Sequence, residues 1–406
     1  MNLQDKNRAK RFVILTVFAY SVGFGIIMPV LPQLIVELEQ VSLSQAAYLG
    51  GWIAVVYAIC QFVMGPLVGN LSDRYGRRPV FLLSLLGYGI DFLLMGLAPS
   101  VFWLFVGRGI AGALGAIFGP ANAVMADISS KEERAQSFGL VGAAFGIGFI
   151  VGPAMGGLLG EWGTRAPFFV SAALAALVFC YGWFAFPETM RTQDRRPFSL
   201  SRANPLGAIK NLKPHDDVLR VSLVYFMWVI CVNIYPMTWG YFAPIKYGWD
   251  ARMVGISLTI VGISMAFVQF IVLSRFIKRF GERHTAIFGM IFGVTAMLFF
   301  SINDKLTLAL AVCLLLGIQS MVLPSINAMM SRRVPTDAQG ELQGFNASLA
   351  ALAALVAPLI YNNSLAYFTR SDATTYFPGA PFIISAMLGA ITIMALASGK
   401  QAIQKD

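Results

Sequence analysis

The sequence predicts an all-α membrane protein of twelve transmembrane helices arranged as two pseudo-symmetric six-helix bundles. Three observations carry that prediction. Of 406 residues, 57% are apolar and only 12% charged, with a mean hydropathy of +0.69, too little charge to clothe a water-soluble protein of this length. The apolar residues gather into segments of the length that spans a bilayer. The stretch GNLSDRYGRRP at Gly69 to Pro79 returns, eroded, as SRFIKRFGERH at Ser274 to His284, about 205 residues later. The same offset sets Gly112 on Gly317, Gly139 on Gly344 and Pro153 on Pro358, so the chain is built twice. Duplicated halves with a substrate site between them are a common plan among membrane transporters.

In order, the apolar segments fall at about 12–36, 46–71, 79–98, 101–126, 137–160, 166–186, 218–245, 253–277, 285–302, 306–331, 339–364 and 379–398. The first follows a basic start but is no signal peptide: Phe12 to Leu38 is too long for an h-region, holds Pro29 and Pro32, and lacks a small-residue cleavage site. The third and fourth form an antiparallel hairpin around Pro99 and Ser100, and the fifth is dense in glycine. A polar stretch follows the sixth, and the remaining segments repeat the plan. The expected domains are 1–190, a linker at 191–216, and 217–406. Within the linker, roughly 203–213 is expected either as an amphipathic helix on the inner membrane surface, with Lys210 and Lys213 at the headgroups, or as a plain tether.

Positive charge sets the orientation. Of the 30 Lys and Arg, only Arg165, Lys246, Arg252, Lys305 and Arg370 fall in loops on one side; Arg108 lies within a helix and the rest share the side of the termini. Both termini are therefore expected in the cytoplasm, with the chain in the inner membrane. The net charge of +10 reflects this topology and anionic lipid, not nucleic-acid binding. Cys60, Cys180, Cys231 and Cys313 each stand alone in a separate segment, and His215 and His284 are in loops. No metal, cofactor or enzyme chemistry is expected from such material.

Gly69, Asp73, Arg74, Gly76, Arg77 and Arg78 form the pattern Gly-x-Leu-x-Asp-Arg-x-Gly-Arg-Arg between the second and third segments. Its glycines permit a tight turn and its charges permit strong hydrogen bonds. Asp127, at the end of the fourth segment, is the expected partner of Arg77. The cluster reads either as a latch between helical bundles or as an anchor of topology. In the second half Lys278 and Glu282 stand where Asp73 and Arg77 stand in the first, so the latch there is weakened or rebuilt. The fifth segment carries Gly139, Gly148, Gly152, Pro153, Gly156 and Gly157, a spacing that favours close packing and a bend.

The loop pattern resembles the signature of the major facilitator superfamily, and the glycine spacing resembles that of its antiporters. With Gly23-Phe-Gly25-Ile-Ile-Met-Pro29, Gly107-Arg108-Gly109 through Gly115, Gly255-Ile-Ser-Leu and Gln339-Gly-Glu-Leu-Gln-Gly344, nearly the whole chain resembles the drug and proton antiporters of twelve helices, and specifically tetracycline exporters. The resemblance implies an exporter of amphipathic drugs driven by proton entry. It also exposes departures: the Asp, His and Asp that those exporters carry in helices 1, 8 and 9 fall on Tyr20, Met265 and Gly293, which puts tetracycline itself and the usual proton route in question.

Asp91 and Arg108 are the remaining intramembrane charges. A lone charge at mid-bilayer costs about 2.5–3.5 kcal/mol on insertion scales, and the hairpin sets these two at similar depth. They are expected to pair, either as a fixed ion pair or as a site that opens on protonation. Tyr20, Tyr57, Gln61, Asn122, Asn233, Tyr235, Gln269, Gln319, Asn327 and Asn346 supply the candidate pocket. The set is neutral, which suits a large amphipathic molecule better than a phosphate or dicarboxylate. The resulting expectation is a monomeric secondary transporter whose partners are that molecule, protons and membrane lipid. The alternative is a uniporter or differently coupled carrier of a lipid-like molecule, siderophore or metabolite.

Overall fold

The computed structural model describes residues 1–115, 117–130, 133–198, 216–334 and 339–398; the expected surface helix at 203–213 lies outside them. Among the described residues there is no β-strand, and eleven helical stretches are long and apolar enough to cross a membrane. One of them, Ala251–Ile302, has 52 residues, about 78 Å at 1.5 Å per residue and more than twice a hydrocarbon core. It turns back at Gly281, where φ 76° and ψ 167° belong to a region that in practice only glycine enters. Two spans meet there, and the total becomes twelve. Gly76, the counterpart of Gly281 in the internal repeat, turns the chain between the second and third spans with φ 105° and ψ 163°. The duplication is preserved in the backbone as well as in the letters.

The spans are α1 (Leu3–Glu39), α2 (Leu43–Tyr75), α3 (Arg77–Leu97), α4 (Val101–Leu114 and Phe118–Ile128), α5 (Arg134–Gly160), α6 (Ala166–Ala185), α7 (Asp216–Val232 and Ile234–Tyr247), α8 (251–280), α9 (282–302), α10 (Leu306–Ser331), α11 (Gln339–Thr369) and α12 (Ala380–Ala397). Several outrun their apolar cores because helix geometry continues into the loops. At the start of α1 the Asn2 side chain accepts from Asp5 N at 2.7 Å, and α2 opens on a capping box of Ser42 and Gln45, each satisfying amide groups that the first turn leaves free.

In the first half α1 packs on α5 and α6, α3 on α4 and α6, and α2 on α4; in the second, α9 packs on α10 and α12, and α7 on α11 and α12. The halves meet chiefly along two seams, α2 with α11 and α5 with α8. Twelve spans return both chain ends to one face, here the terminal face. Contacts across the seams crowd toward the other face. Ser44 Oγ donates to Thr369 O at 2.8 Å, Asn362 Nδ2 donates to Ala47 O at 3.2 Å, and Arg252 pairs with Glu161 at 3.0 Å. A methyl group added at Gly51 would meet Asn362, one at Gly157 would meet Ala251 and Arg252, and one at Gly262 would meet Ile150.

Toward the terminal face the same helix surfaces are bare. Gly69, Gly139 and Gly344 lie about five turns along from Gly51, Gly157 and Asn362, on the same faces of α2, α5 and α11, yet a methyl group at any of the three would meet nothing within 4 Å. The halves are pressed together at one face and parted at the other.

Candidate functional site

The loop between α2 and α3 is held by a compact set of charges. Arg77 Nη1 donates to Asp73 Oδ1 at 2.6 Å and to Ser72 Oγ at 3.2 Å, while its Nε donates to Asp127 Oδ2 at 3.2 Å. One guanidinium thus joins the ends of α2, α3 and α4. Arg78 Nη2 donates to Trp183 O at 2.6 Å and ties in α6, whereas Arg74 lies over its neighbour Tyr75. Glu188, which the sequence reading missed, completes the set. Its carboxylate accepts from Arg77 N at 2.9 Å and Arg78 N at 3.2 Å, a negative cap on the first turn of α3. A side chain at Gly76 would collide with that carboxylate, so Gly76 serves both the turn and the cap.

The chain after α6 is not a free tether where it begins. Thr189 Oγ1 donates to Asp127 Oδ2 at 3.2 Å, and Arg196 N donates to Asp73 O at 3.0 Å, so the start of the interdomain segment straps the loop. The signal for it in the sequence is a single acid beside a helix end, which has no period and no repeat to betray it.

The glycines of α5 divide by face. Gly148, Gly152 and Gly156 lie against the α1 backbone at the carbonyls of Phe18, Val22 and Ile26, close enough that no side chain fits. Gly157 and the Pro153 carbonyl instead meet α8 across the seam, the latter beside Gly255. Pro153 lies within an unbroken helical stretch, while Gly139 faces open space. One helix therefore binds its own bundle on one side and the other bundle on the next.

Among the described residues, two chambers lie between the halves. The first, about 240 Å³, is lined by Tyr20, Tyr57, Gln61, Arg108, Asn233 and Tyr241 among apolar neighbours. The second, about 360 Å³, is lined by Tyr235, Gln269, Gln319, Asn327 and Met265 with Trp228 and Ser320. Met28 and Pro236 border both. Asn346 joins the second through Asn327, to whose Oδ1 it donates at 3.0 Å. Asn122 is exposed and lines neither chamber.

Asp91 and Arg108 do pair. Arg108 Nε donates to Asp91 Oδ1 at 3.1 Å, and a second contact joins Nη2 to Oδ2. The Asp91 side chain is 0% exposed and lines neither chamber, so the chamber meets the guanidinium and not the carboxylate. A side chain at Gly107 would crowd Asp91 Oδ1, so that glycine admits the carboxylate. Arg108 also lies over the rings of Tyr57 and Phe92, at 5.4 and 5.6 Å, a setting that favours a desolvated cation. Beside it Tyr20 OH and Tyr57 OH are 2.7 Å apart, Gln61 Nε2 donates to Tyr57 OH at 3.0 Å, and Tyr88 OH donates to Tyr20 O at 2.5 Å.

Two of the three departures from the tetracycline-exporter pattern line a chamber, and the third lies behind a chamber wall. Tyr20 lines the first chamber and Met265 the second, while Gly293 lies against Trp228 and Gln319, whose atoms a Cβ there would approach to 2.9 and 3.0 Å.

A family model of the Major Facilitator Superfamily matches residues 13–358. The chain belongs to that superfamily. It is 36% identical over 393 residues to the tetracycline resistance protein, class C, of Escherichia coli, covering 97% of each chain. Multidrug resistance protein 2 of Bacillus subtilis is 27% identical and covers 86% of this chain and 87% of its own. The fold matches a bacterial homologue of the human lysosomal transporter Spinster, with a TM-score of 0.79, 15% identity and 98% and 97% of the two chains covered. This member of the superfamily is a membrane transporter and not an enzyme.

Proposed function

We propose that this transporter exports amphipathic small molecules, drugs among them, in exchange for protons, by alternating access between its two bundles. The observation that carries the reading is the pair of chambers enclosed between bundles that are pressed together at one face and parted at the other. Residues 1–190 and 217–406 are the two moving bodies, and 191–216 joins them. The asymmetry of basic residues supports a cytoplasmic terminal face in the inner membrane, so the chambers as they stand open inward. A monomer suffices, since both seams lie within one chain, and lipid surrounds it.

The lining supports the substrate class. Phenols, amides, Met and Phe surround one guanidinium, an environment for a large molecule that is mostly apolar. Similarity to tetracycline and multidrug resistance proteins points the same way. Asp91 and Arg108 are the proton-sensing pair, and Asp73, Arg77, Asp127 and their neighbours are the latch of the terminal face.

A second reading, a uniporter or differently coupled carrier, draws on Tyr20, Met265 and Gly293, which leave the usual acidic and His positions without a carboxylate or imidazole. Everted vesicles separate the two. If the exchange reading holds, ethidium added to vesicles with an imposed pH gradient is taken up and discharges part of that gradient; uptake that leaves the gradient untouched overturns it.

A further inference from the structure

On the face opposite the termini an open groove of about 760 Å³ lies apart from both chambers, where α2 begins and α11 ends. Its lining crosses the seam: it includes Ser44 and Thr369, whose hydrogen bond joins the bundles there. Tyr48 comes from one bundle and Tyr367 from the other, each about half exposed. Arg370 and Asp372 are the two charged side chains of the groove. Neither the chambers nor the latch uses any of these groups.

The two charges form a pair that a ligand can enter. Arg370 lies over the Tyr367 ring at 4.4 Å and pairs through Nε with Asp372 Oδ1 at 3.2 Å, while its Nη groups hold no further partner among the described residues. An exposed ion pair contributes little, so it gives way to a ligand that offers each charge an opposite one. The Asn363 amide also lines the groove and bonds to nothing else among the described residues. From Tyr48 an apolar stripe continues along α2: Tyr48, Trp52, Ile59 and Val63 are all exposed and fall within about 60° of one another around the helix axis. The stripe runs for about 22 Å, more than the roughly 15 Å of hydrocarbon in one leaflet. Tyr48 and Trp52 meet edge to face at 6.4 Å, and such rings belong at the level of lipid headgroups.

We infer that this groove holds one zwitterionic phospholipid of the leaflet opposite the termini. Its phosphate meets the Arg370 guanidinium and the Asn363 amide, its ammonium meets Asp372 and the tyrosine rings, and its acyl chains lie along the α2 stripe. An anionic headgroup would set a second negative charge beside Asp372 with nothing to offset it. A water-soluble headgroup would forgo the stripe. Because both bundles supply the lining, the lipid fits while this face is pressed together and loses half its site when the bundles part here. Its binding therefore favours the state in which the terminal face is open. The site depends on neither the substrate nor the coupling ion.

Native mass spectrometry of the purified full-length protein in detergent tests this, with dioleoyl phosphatidylethanolamine, dioleoyl phosphatidylglycerol or glycerophosphoethanolamine added. The expected result is one phosphatidylethanolamine held about tenfold more tightly than phosphatidylglycerol and not displaced by an equal concentration of the soluble headgroup. Arg370→Ala should raise the Kd for phosphatidylethanolamine about tenfold, the worth of one charge-assisted contact, and Asp372→Asn should abolish the preference over phosphatidylglycerol. The two side chains are 45% and 76% exposed, so neither change threatens folding. Phosphatidylethanolamine should also raise the thermal unfolding temperature of the unaltered protein more than that of Arg370→Ala. The same Kd in every variant, equal binding of the two lipids by the unaltered protein, or displacement by the soluble headgroup overturns the inference. These measurements need no drug and no pH gradient, so a failure of vesicle export counts against the transport reading alone.

Discussion

Arg332 pairs with Glu282 at 2.8 Å, and the internal repeat equates these two residues with Asp127 and Arg77. The ion pair at the terminal end of the first bundle therefore exists in the second with its charges exchanged. Lys278, at the position of Asp73, reverses as well. What the sequence shows as an eroded loop is a rebuilt one, with the geometry kept and the polarity inverted.

The inversion makes the latch testable by transplantation. Arg77→Glu should slow transport roughly tenfold, because a nearly buried guanidinium (11% exposed) with two carboxylate partners becomes a third acid among them. Adding Asp73→Lys and Asp127→Arg reproduces the set found in the second bundle and should recover much of the rate. Vesicle uptake rates of the single and triple variants provide the check, with equal rates counting against a latch. Asp73→Asn alone should slow transport while leaving expression intact, since Asp73 is a partly exposed residue in the last turn of α2.

The α5 glycines give a prediction that depends on face. At Gly152 even alanine is too large: the added methyl would collide with the Val22 carbonyl and crowd the Gly25 backbone. Gly152→Ala and Gly152→Leu should therefore both be severe. Overpacking of this kind costs about 1–3 kcal/mol, which thermal unfolding in detergent measures. Gly139→Leu should leave unfolding unchanged, because that position is open, but should hold the terminal face apart. Cysteine labelling along the terminal half of α11 would then stay high in the presence of substrate.

Asp91 and Arg108 couple burial to charge. Asp91→Asn imitates the protonated acid, so exchange of ethidium across the membrane should continue while accumulation driven by a pH gradient falls to the level of empty vesicles. Arg108→Ala should be worse, because it leaves a carboxylate with 0% exposure unpaired, at about 3–5 kcal/mol. If the pair is only structural, the double variant regains expression and Asp91→Asn accumulates normally. That last outcome would remove Asp91 from the proton route.

Legibility followed the physics of each signal. Apolar length, the positive-charge count and the repeat are properties of whole segments, and they led to the twelve spans and two bundles. Arg77 with Asp127, and Asp91 with Arg108, were legible because a buried charge demands a partner and the hairpin geometry offered one. Glu188 was not, since a helix cap needs one acid at a place fixed by tertiary folding. Ser320 and Trp228, which line the second chamber, were hidden for a related reason: which side chains meet at a cavity depends on how separate spans pack. Asn122 was overread, because an amide in an apolar segment carries no sign of which side it faces.

Packing against Trp228 accounts for Gly293 standing where tetracycline exporters carry an acid. The repeat equates Gly23 of α1 with Trp228 of α7, and Tyr88 of α3 with Gly293 of α9. In the first bundle a Cβ at Gly23 would meet Tyr88 and Phe92; in the second a Cβ at Gly293 would meet Trp228 at 2.9 Å. One large and one small residue fill the same place in both bundles, with the roles exchanged. Gly293→Tyr alone should be severely destabilising, since even the first carbon of the new side chain would crowd the buried Trp228 indole. Trp228→Gly alone should cost about 3–5 kcal/mol through the cavity it leaves. Together the two changes copy the first bundle and should be less harmful than the sum of the singles, with a coupling of about 1–3 kcal/mol. Thermal unfolding of all four proteins closes the cycle; strictly additive losses would mean that the two positions do not share one space, and the absence of the acid would then need a cause other than packing against Trp228.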